Sequence, residues 1–393
     1  MNTTRMLTLL LLSVCFVVLP ITVEAATFTV NSTDDVADIT PGDGFCATEG
    51  GVCTLRAAIQ ETNALAGADT IVLKTKKYYL SILGSDEDAA VTGDLDITDD
   101  LTIKGVSSAQ TIINGGALDR VFHVMGPVTV KFVNLSIQNG LVQGFGGGGI
   151  LNAEGAVSLV SCSVANNIAI SSFAYGGGIL SQGAGNRLSI KFSSIINNAV
   201  STPDGTEGGG IAVHDGCTLN ISASKIAYNS ATSAFASASG GGIASSGAQG
   251  VTISNCTILA NRATSLGASD AGVGGGIALR NDNTAALISG TSITMNSSYS
   301  PNSASGGGLY FNAETATISS CTVKGNTANA PVWAIGVGGG IAADSSNITV
   351  KNESTIVSNL ASVNGGGIYV GSGSTIPVSP NSIVTNNMPN DQN

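Results

Sequence analysis

Short segments in which apolar and polar residues alternate recur along most of the chain. They include "CTLNISA" at residues 217–223, "VTISN" at 251–255 and "ATISS" at 316–320. Alternation with a period of two is typical of a β-strand with one buried face. The segments "SKIAYN" at 224–229 and "GGGIAVH" at 208–214 supply further short apolar runs. The pattern predicts three short strands per repeat, separated by tight corners.

Two landmarks give the period of this repeat. An aliphatic residue follows each glycine triplet, and an asparagine lies three residues after an inward aliphatic residue. The aliphatic landmarks are 27 to 34 residues apart, most often 32. Propeller blades need four strands in about 40 residues or more, so we predict a solenoid instead. The aliphatic landmarks are Ile150, Ile179, Ile211, Ile243, Ile277, Leu309, Ile341 and Ile368, and the asparagines are Asn167, Asn198, Asn229, Asn261, Asn296, Asn326, Asn359 and Asn386.

The fold class that follows is all-β, a single-stranded parallel β-helix with about 32 residues per coil. In such a fold each residue stacks on its equivalent about 4.8 Å away in the next coil. The asparagine column therefore predicts a ladder of side-chain amides at a turn, because asparagine hydrogen-bonds locally and tolerates left-handed backbone. A column of Cys, Ser and Thr that includes Cys162, Cys256 and Cys321 predicts packing of small side chains, since no C-x-x-C pair suggests a metal site.

The N-terminal part of the chain departs from the repeat. Residues 1–25 combine a basic residue, an apolar segment and a small-residue cleavage sequence, which predict a removable secretion signal. Residues 26–66 predict a cap over the first coil. We expect irregular coils at 67–141 and regular coils at 142–387. A tail of six residues, 388–393, follows.

Within the cap, "CTLRAAIQETNAL" has the apolar spacing of a short amphipathic helix. Cys46 and Cys53 bracket the short loop "CATEGGVC", and we predict that they form a disulfide, which an oxidising compartment permits. The segment "DGFCATEGGVCTLRAAIQETNA" resembles the cysteine-flanked motif named CSLREA, with Thr in place of Ser and Ala in place of Glu. The glycine and asparagine units resemble the right-handed parallel β-helix repeats of polymorphic outer-membrane-type proteins, and this resemblance implies that the β-helix is right-handed. This resemblance implies an exported bacterial protein of the cell surface, the outer membrane or the medium.

Composition narrows the range of partners. The formal net charge is −11 and no run of basic residues occurs, which argues against nucleic acid as a partner. Beyond the signal segment, no apolar stretch is long enough to cross a membrane. Glycans and other cell-envelope components remain open as partners.

Catalytic chemistry has one candidate cluster. Asp282 and Glu314 each lie five residues past their landmark aliphatic residue in consecutive coils. Stacking would separate their carboxyl groups by roughly 5 Å, the spacing of a retaining glycosidase. Arg280 would then bind an acidic sugar or act as a base in a lyase. The alternative is that these are ordinary turn residues, in which Asp and Glu serve solvation and local hydrogen bonds.

Metal chemistry also has one candidate region, the acidic run around Asp94 and Asp96. Calcium would bind such oxygens, but alternation in "DLDITDDLTI" favours a solvated strand face. We predict no other cofactor. The hypothesis that the sequence favours is that of a structural or adhesive surface protein that presents loops to glycans or other surface macromolecules. The alternative is a polysaccharide lyase or glycosidase of the pectate-lyase-like β-helix type, so whether the chain is an enzyme stays open.

Overall fold

The computed structural model describes residues 24–85, 87–281, 285–331 and 333–392. The predicted signal segment therefore lies almost wholly outside the described residues. The described chain forms a parallel β-solenoid, as the repeat predicts, because each strand pairs in parallel with its equivalent in the next coil. Among the residues that the structure describes, none forms a helix long and apolar enough to cross a bilayer.

Three sheets form the walls of the solenoid, and each takes one strand per coil. Sheet A consists of Thr27–Thr29, Asp69–Val72, Leu101–Lys104, Thr129–Val133, Ala156–Val160, Arg187–Lys191, Thr218–Ser222, Gly250–Ser254, Ala286–Ser289, Thr315–Ser319 and Asn347–Lys351. Sheet B consists of Lys77–Tyr79, Ile112–Asn114, Ser136–Gln138, Ser163–Ala165, Ser194–Ile196, Lys225–Ala227, Thr257–Leu259, Ser292–Thr294, Thr322–Lys324, Thr355–Val357 and Ile383–Thr385. Sheet C consists of Leu95–Ile97, Phe122–Val124, Ile150–Asn152, Ile179–Gln182, Ile211–His214, Ile243–Ser246, Ile277–Arg280, Leu309–Asn312, Ile341–Asp344 and Ile368–Val370.

Two more sheets correct the expectation of three strands per coil. In most coils the segment between sheet B and the glycine triplet forms an outgoing and a returning strand. We call these paired layers the flange. Its outgoing sheet D consists of Leu141–Val142, Ile168–Ile170, Ala199–Thr202, Ser230–Ser233, Arg262–Ser265, Ser297–Tyr299, Thr327–Asn329 and Leu360–Ala361. Its returning sheet E consists of Ala174–Tyr175, Thr206–Glu207, Ala238–Ser239, Ala271–Val273, Ser303–Ser305 and Ile335–Val337.

The core follows from the register of the sheets. The aliphatic landmarks pair Cα to Cα from coil to coil, for example Ile211 with Ile243, and both of these residues are fully buried. Apolar burial stabilises the fold by roughly 25 cal/mol per Å². The flange interior is thinner, because small side chains such as Ala169, Ala174 and Val200 fill it.

An asparagine ladder runs along the corner between sheets B and D. The Nδ2 of Asn198 donates to Oδ1 of Asn229 at 3.0 Å and to the carbonyl of Val164 at 3.0 Å. The Oδ1 of Asn198 accepts from the backbone N–H and the Nδ2 of Asn167, both at 3.0 Å. The same bonds link Asn167, Asn198, Asn229, Asn261, Asn296, Asn326, Asn359 and Asn387.

Two details of the ladder differ from the sequence prediction. Asn387 completes it, whereas the predicted member Asn386 is the left-handed residue just before, with φ of 56°. The same offset holds throughout, since the left-handed residue precedes the ladder asparagine, as Asn197 precedes Asn198. The turn therefore needs two neighbouring residues, one for the backbone and one for the amide bonds.

The cap contains the helix Leu55–Ala64, whose N-cap Thr54 accepts from the backbone N–H of Ala57. The predicted Cys46–Cys53 disulfide is confirmed, with the two Cα atoms 5.1 Å apart. Within the part of the chain that the structure describes, four other cysteines are free and buried, and burial raises the pKa of the Cys162 and Cys217 thiols to about 11.

Arg56, the arginine of the CSLREA-like motif, is fully buried in the cap. Its Nε lies 2.6 Å from the Asp35 carboxylate. Its remaining N–H groups donate to Asp35 and to the carbonyls of Ala90, Gly93 and Asp94 at 2.8–3.2 Å. A buried charge is tolerated when it is paired and fully hydrogen-bonded. Arg56 thus ties the helix to the loop at residues 87–94.

We predict that Asn198→Ala lowers the free energy of unfolding by about 3 kcal/mol, because two buried donors of Asn167 lose their acceptor. The measurement is chemical denaturation followed by circular dichroism. The matched control is Asn197→Gly, which keeps a residue suited to left-handed backbone and leaves the ladder intact. Equal losses for the two variants would show that the amide bonds contribute little.

We predict that replacing both Cys46 and Cys53 by Ser destabilises the cap by ~2–3 kcal/mol, the loop-closure entropy of a short loop. Limited proteolysis with mass spectrometry should then show faster cleavage within residues 35–54 than in the parent protein. Cys162→Ser is the control, because the equivalent position in the next coil is already Ser193. Identical cleavage rates in all three proteins would contradict this role of the disulfide.

Candidate functional site

The candidate site lies in the angle between sheet E of the flange and the outer face of sheet C. The last residues of the four-residue strands of sheet C, from Ile179–Gln182 to Ile341–Asp344, face outward and form one column in register. Unlike the inward aliphatic column, this column mixes charged, aromatic and neutral polar types. Its members are Gln182, His214, Ser246, Arg280, Asn312 and Asp344.

The glycine triplet brings sheet E back against this column. Gly208 has φ of 68°, a left-handed conformation that favours glycine. A Cβ on Gly209 would lie 2.4 Å from the carbonyl carbon of Ser230, so only glycine fits there. This tight return places Glu207, the residue before the triplet, beside the outward side chains of sheet C.

Glu207 joins two side chains of the column. Its Oε1 lies 3.2 Å from Nη1 of Arg280, which belongs to a strand two coils further along. Its Oε2 lies 3.5 Å from Nε2 of His214 in the same coil. All three side chains are mostly buried, so the Glu207–Arg280 ion pair is less screened by water and salt than a surface pair is.

Aromatic rings flank these charges. The Tyr175 ring packs on His214 with centroids 4.8 Å apart and meets Phe145 edge-on. Burial, and then the charges of Glu207 and Asp215, raise the pKa of Tyr175. The phenol of Tyr175 is therefore a hydrogen-bond donor across the physiological range.

A second aromatic side chain lies further along the column. Burial, and then the charge of Asp344, raise the pKa of Tyr310, and the Arg280 guanidinium lies over its ring at 5.8 Å. Burial also raises the pKa of Asp344. Arg280 thus contacts a carboxylate on one side and an aromatic face on the other, an arrangement that suits a planar guanidinium.

An open pocket of about 270 Å³ adjoins the cluster. Aromatic rings, carboxylates, small hydroxyl-bearing residues and one guanidinium line it. Its aromatic and charged lining residues are Phe173, Tyr175, Asp204, Glu207, Asp270 and Arg280. A larger cavity of about 610 Å³, on the sheet D side of the flange, is lined by residues without charge and offers fewer groups for recognition.

Of the three predicted catalytic residues, the structure describes Arg280 and Glu314. Arg280 lies in the cluster, but its carboxylate partner is Glu207. Glu314 is 3% exposed at the corner between sheets C and A, where its backbone N–H donates to Ser346. Asp282 lies outside the described residues, so the Asp282–Glu314 pair stays a prediction. The burial of Glu314 leaves little access for a substrate.

The solvated face predicted for Asp94 and Asp96 is wrong. Both residues lie on sheet C or at its edge, yet their exposed fractions are 5% and 0%. The loop before them folds over this face, and Ala90 N–H donates to Oδ2 of Asp96. Burial and the charge of Asp96 raise the pKa of Asp94 to about 8, although Arg120, 3.0 Å away, lowers it.

Sequence reasoning missed Glu207 as a site residue. A signal was present, since the residue before each triplet forms its own column and reads Tyr175, Glu207, Ser239, Val273 in successive coils. The charged member stands out only when this column is compared with the one that ends the sheet C strands.

Comparisons with known proteins support the fold. Residues 231–387 match the family described as right handed beta helix region, in accord with the predicted handedness. No curated protein sequence matches the chain.

Two solved structures with detectable similarity are A-modules of mannuronan C-5 epimerases from Azotobacter vinelandii. The AlgE6 module is 12% identical, with 90% of this chain and 88% of that chain covered and a TM-score of 0.32. The AlgE4 module is also 12% identical, with 92% and 100% covered and a TM-score of 0.27. Neither similarity assigns an activity to this chain.

We predict that Glu207→Gln lowers the pKa of Tyr175 yet leaves it above that of a free tyrosine, because burial is the larger cause. Alkaline titration of phenolate absorbance checks this, with Tyr175→Phe identifying the contribution of Tyr175. The exposed Glu154→Gln serves as the control. An unchanged titration in Glu207→Gln would mean that its carboxylate does not act on the phenol.

Proposed function

We propose that this chain is an exported β-helix protein, secreted or held at the cell surface, that binds a neutral glycan in the pocket between the flange and sheet C. The observation that carries the proposal is the pocket lining, in which Phe173 and Tyr175 adjoin Asp204, Glu207 and Asp270. Aromatic rings present flat apolar faces to sugar rings, and carboxylates accept strong hydrogen bonds from hydroxyl groups.

The charge balance of the pocket favours a neutral ligand over an acidic one. Three carboxylates and one guanidinium line it, and the guanidinium of Arg280 is already paired with Glu207. The whole chain carries a formal net charge of −11, which repels polyanions at long range. We therefore replace the earlier hypothesis that Arg280 binds an acidic sugar.

The dimensions of the pocket favour a polymer. Pockets for drug-sized molecules typically measure about 300–1,000 Å³ and enclose most of the ligand. This pocket, of about 270 Å³, is smaller and open, so it suits a few units of a longer chain. Binding of this kind fits an adhesive role, in which many weak contacts act together.

Export is supported by the signal pattern of residues 1–25 and by the Cys46–Cys53 disulfide, since disulfides persist in oxidising compartments. The relation to CSLREA-motif and polymorphic outer-membrane-type proteins belongs to the same proposal. It rests on the residues of the cap and repeats alone.

A second candidate function, cleavage of a polysaccharide, is favoured by one observation. Glu207, His214 and Tyr175 combine a carboxylate, an imidazole and a protonated phenol in one mostly buried cluster. Such groups perform general acid–base catalysis when they reach the reacting atoms. Binding remains the preferred function because Glu207 is engaged by both Arg280 and His214.

The test is affinity electrophoresis of the purified protein in gels that contain neutral, amino-sugar or acidic polysaccharides. We expect retardation by a neutral polysaccharide and little by an acidic one. Phe173→Ala should weaken binding about 30-fold, the effect of losing an aromatic anchor, and Asp204→Asn by roughly tenfold. Phe192→Ala, which removes an equally exposed phenylalanine outside the pocket, should bind normally.

Three results would overturn the proposal: no retardation in any gel, preference for the acidic polymer, or equal effects of Phe173→Ala and Phe192→Ala. The same polysaccharides, incubated with the protein and assayed for new reducing ends and unsaturated products, test the catalytic alternative. Turnover that Glu207→Gln or Glu314→Ala abolishes would make this chain an enzyme.

A further inference from the structure

A second cluster of polar side chains lies at the N-terminal end of sheet C, apart from the pocket. Asp96 and His123 occupy paired positions on adjacent strands, and Asp88 approaches from the loop that covers them. The Nδ1 of His123 lies 3.4 Å from Oδ1 of Asp96 and 3.8 Å from Oδ1 of Asp88. One ligand atom from each residue lies within 4.8 Å of the others.

The carboxylate of Asp96 has one oxygen that could bind a cation. Asp96 is fully buried, and its Oδ2 accepts from Ala90 N–H at 2.7 Å. Its Oδ1 is also buried and accepts no hydrogen bond from any residue that the structure describes. A buried carboxylate oxygen in this state costs free energy unless a cation compensates it. The nearby Arg120 is directed to Asp94 instead.

The loop that carries Asp88 is held in place by the cap. Its turn is closed by the Glu87 carboxylate, which accepts from the N–H groups of Ala89, Val91 and Thr92. Arg56 and Gln60 both donate to the Ala90 carbonyl of the loop from the helix side. Preorganised ligands bind a metal more tightly, because less conformational freedom is lost on binding.

The donor set selects the kind of metal, and the spacing is compatible with that choice. Two ligands at 2.0–2.1 Å from a tetrahedral zinc ion lie about 3.3 Å apart, close to the observed 3.4 and 3.8 Å. Calcium prefers six to eight oxygen ligands, whereas imidazole suits zinc and its neighbours. The Asp88 side chain is 68% exposed, which leaves an entry path and room for a water ligand.

We propose that Asp88, Asp96 and His123 bind one divalent transition-metal ion, with zinc as the reference ion. The ion links the covering loop to two coils of sheet C. This site replaces the calcium site considered from the sequence, since it uses Asp96 but pairs it with an imidazole. It is independent of the glycan pocket, which lies further along the solenoid.

The test uses purified, untagged protein stripped with a chelator and titrated with zinc chloride by calorimetry. We expect one zinc ion per chain, a higher melting temperature with zinc, and no shift with the same concentration of calcium. Loss of a group that only supports a ligand costs about 10–100-fold in metal affinity. His123→Asn, which removes a ligand, should therefore lower zinc affinity about 100-fold or more, and the exposed Asp88→Asn about tenfold. His214→Asn, which removes the other histidine of the chain, should leave zinc affinity unchanged.

Visible absorption of cobalt(II) adds a direct readout, because tetrahedral coordination that includes imidazole gives intense bands that His123→Asn should remove. Circular dichroism of each variant separates loss of ligand from loss of fold. Absence of zinc binding, or zinc affinity that depends on His214 and not on His123 and Asp88, overturns the proposal.

Discussion

Parallel, in-register pairing of each coil with the next is the constraint on which the rest of this structure depends. It places every residue about 4.8 Å from its own equivalent, so a position must be compatible with copies of itself. Isoleucine satisfies this inside the solenoid, where Ile211, Ile243 and Ile277 stack without exposure. Asparagine satisfies it at the corner, where each amide donates to the amide of the next coil and accepts from that of the preceding coil. A charged residue repeated in a buried column would lie beside a like charge in the next coil and be repelled by it.

This constraint explains how much of the fold the sequence predicts. Columns of similar residues recur at a regular spacing in the sequence. The period and the inward aliphatic residues can therefore be predicted without a structure. The cap helix and the Cys46–Cys53 disulfide are formed by residues close together in the chain, so the sequence predicts them as well. The sequence pattern does not distinguish Asn386 from Asn387, because both asparagines lie in the same turn. Only the hydrogen bonds show which one joins the ladder.

The sequence does not predict the flange or the candidate site, for physical reasons. Flange strands are two to four residues long and rich in Ala, Ser and Thr, which is also the composition of loops. Asp94 and Asp96 follow the alternation of a strand, which predicts exposure. A loop held by Arg56 covers them instead, and the local sequence pattern does not indicate burial by another segment. Arg280 and Glu207 are 73 residues apart, and their contact depends on a return strand and on two coil spacings together.

The same constraint indicates where specific recognition is possible on a solenoid. Only columns that face outward, or lie where the flange approaches sheet C, escape the requirement of self-compatibility. There the cation Arg280 is separated from His214 by a coil that carries Ser246, so the two do not stack directly. Glu207 then reaches both from the flange, and its carboxylate compensates the guanidinium of Arg280. The non-repeating residues Arg280 and His214 are therefore stabilised by the flange, which lies outside their column. The flange is what allows a repetitive fold to hold a non-repetitive site.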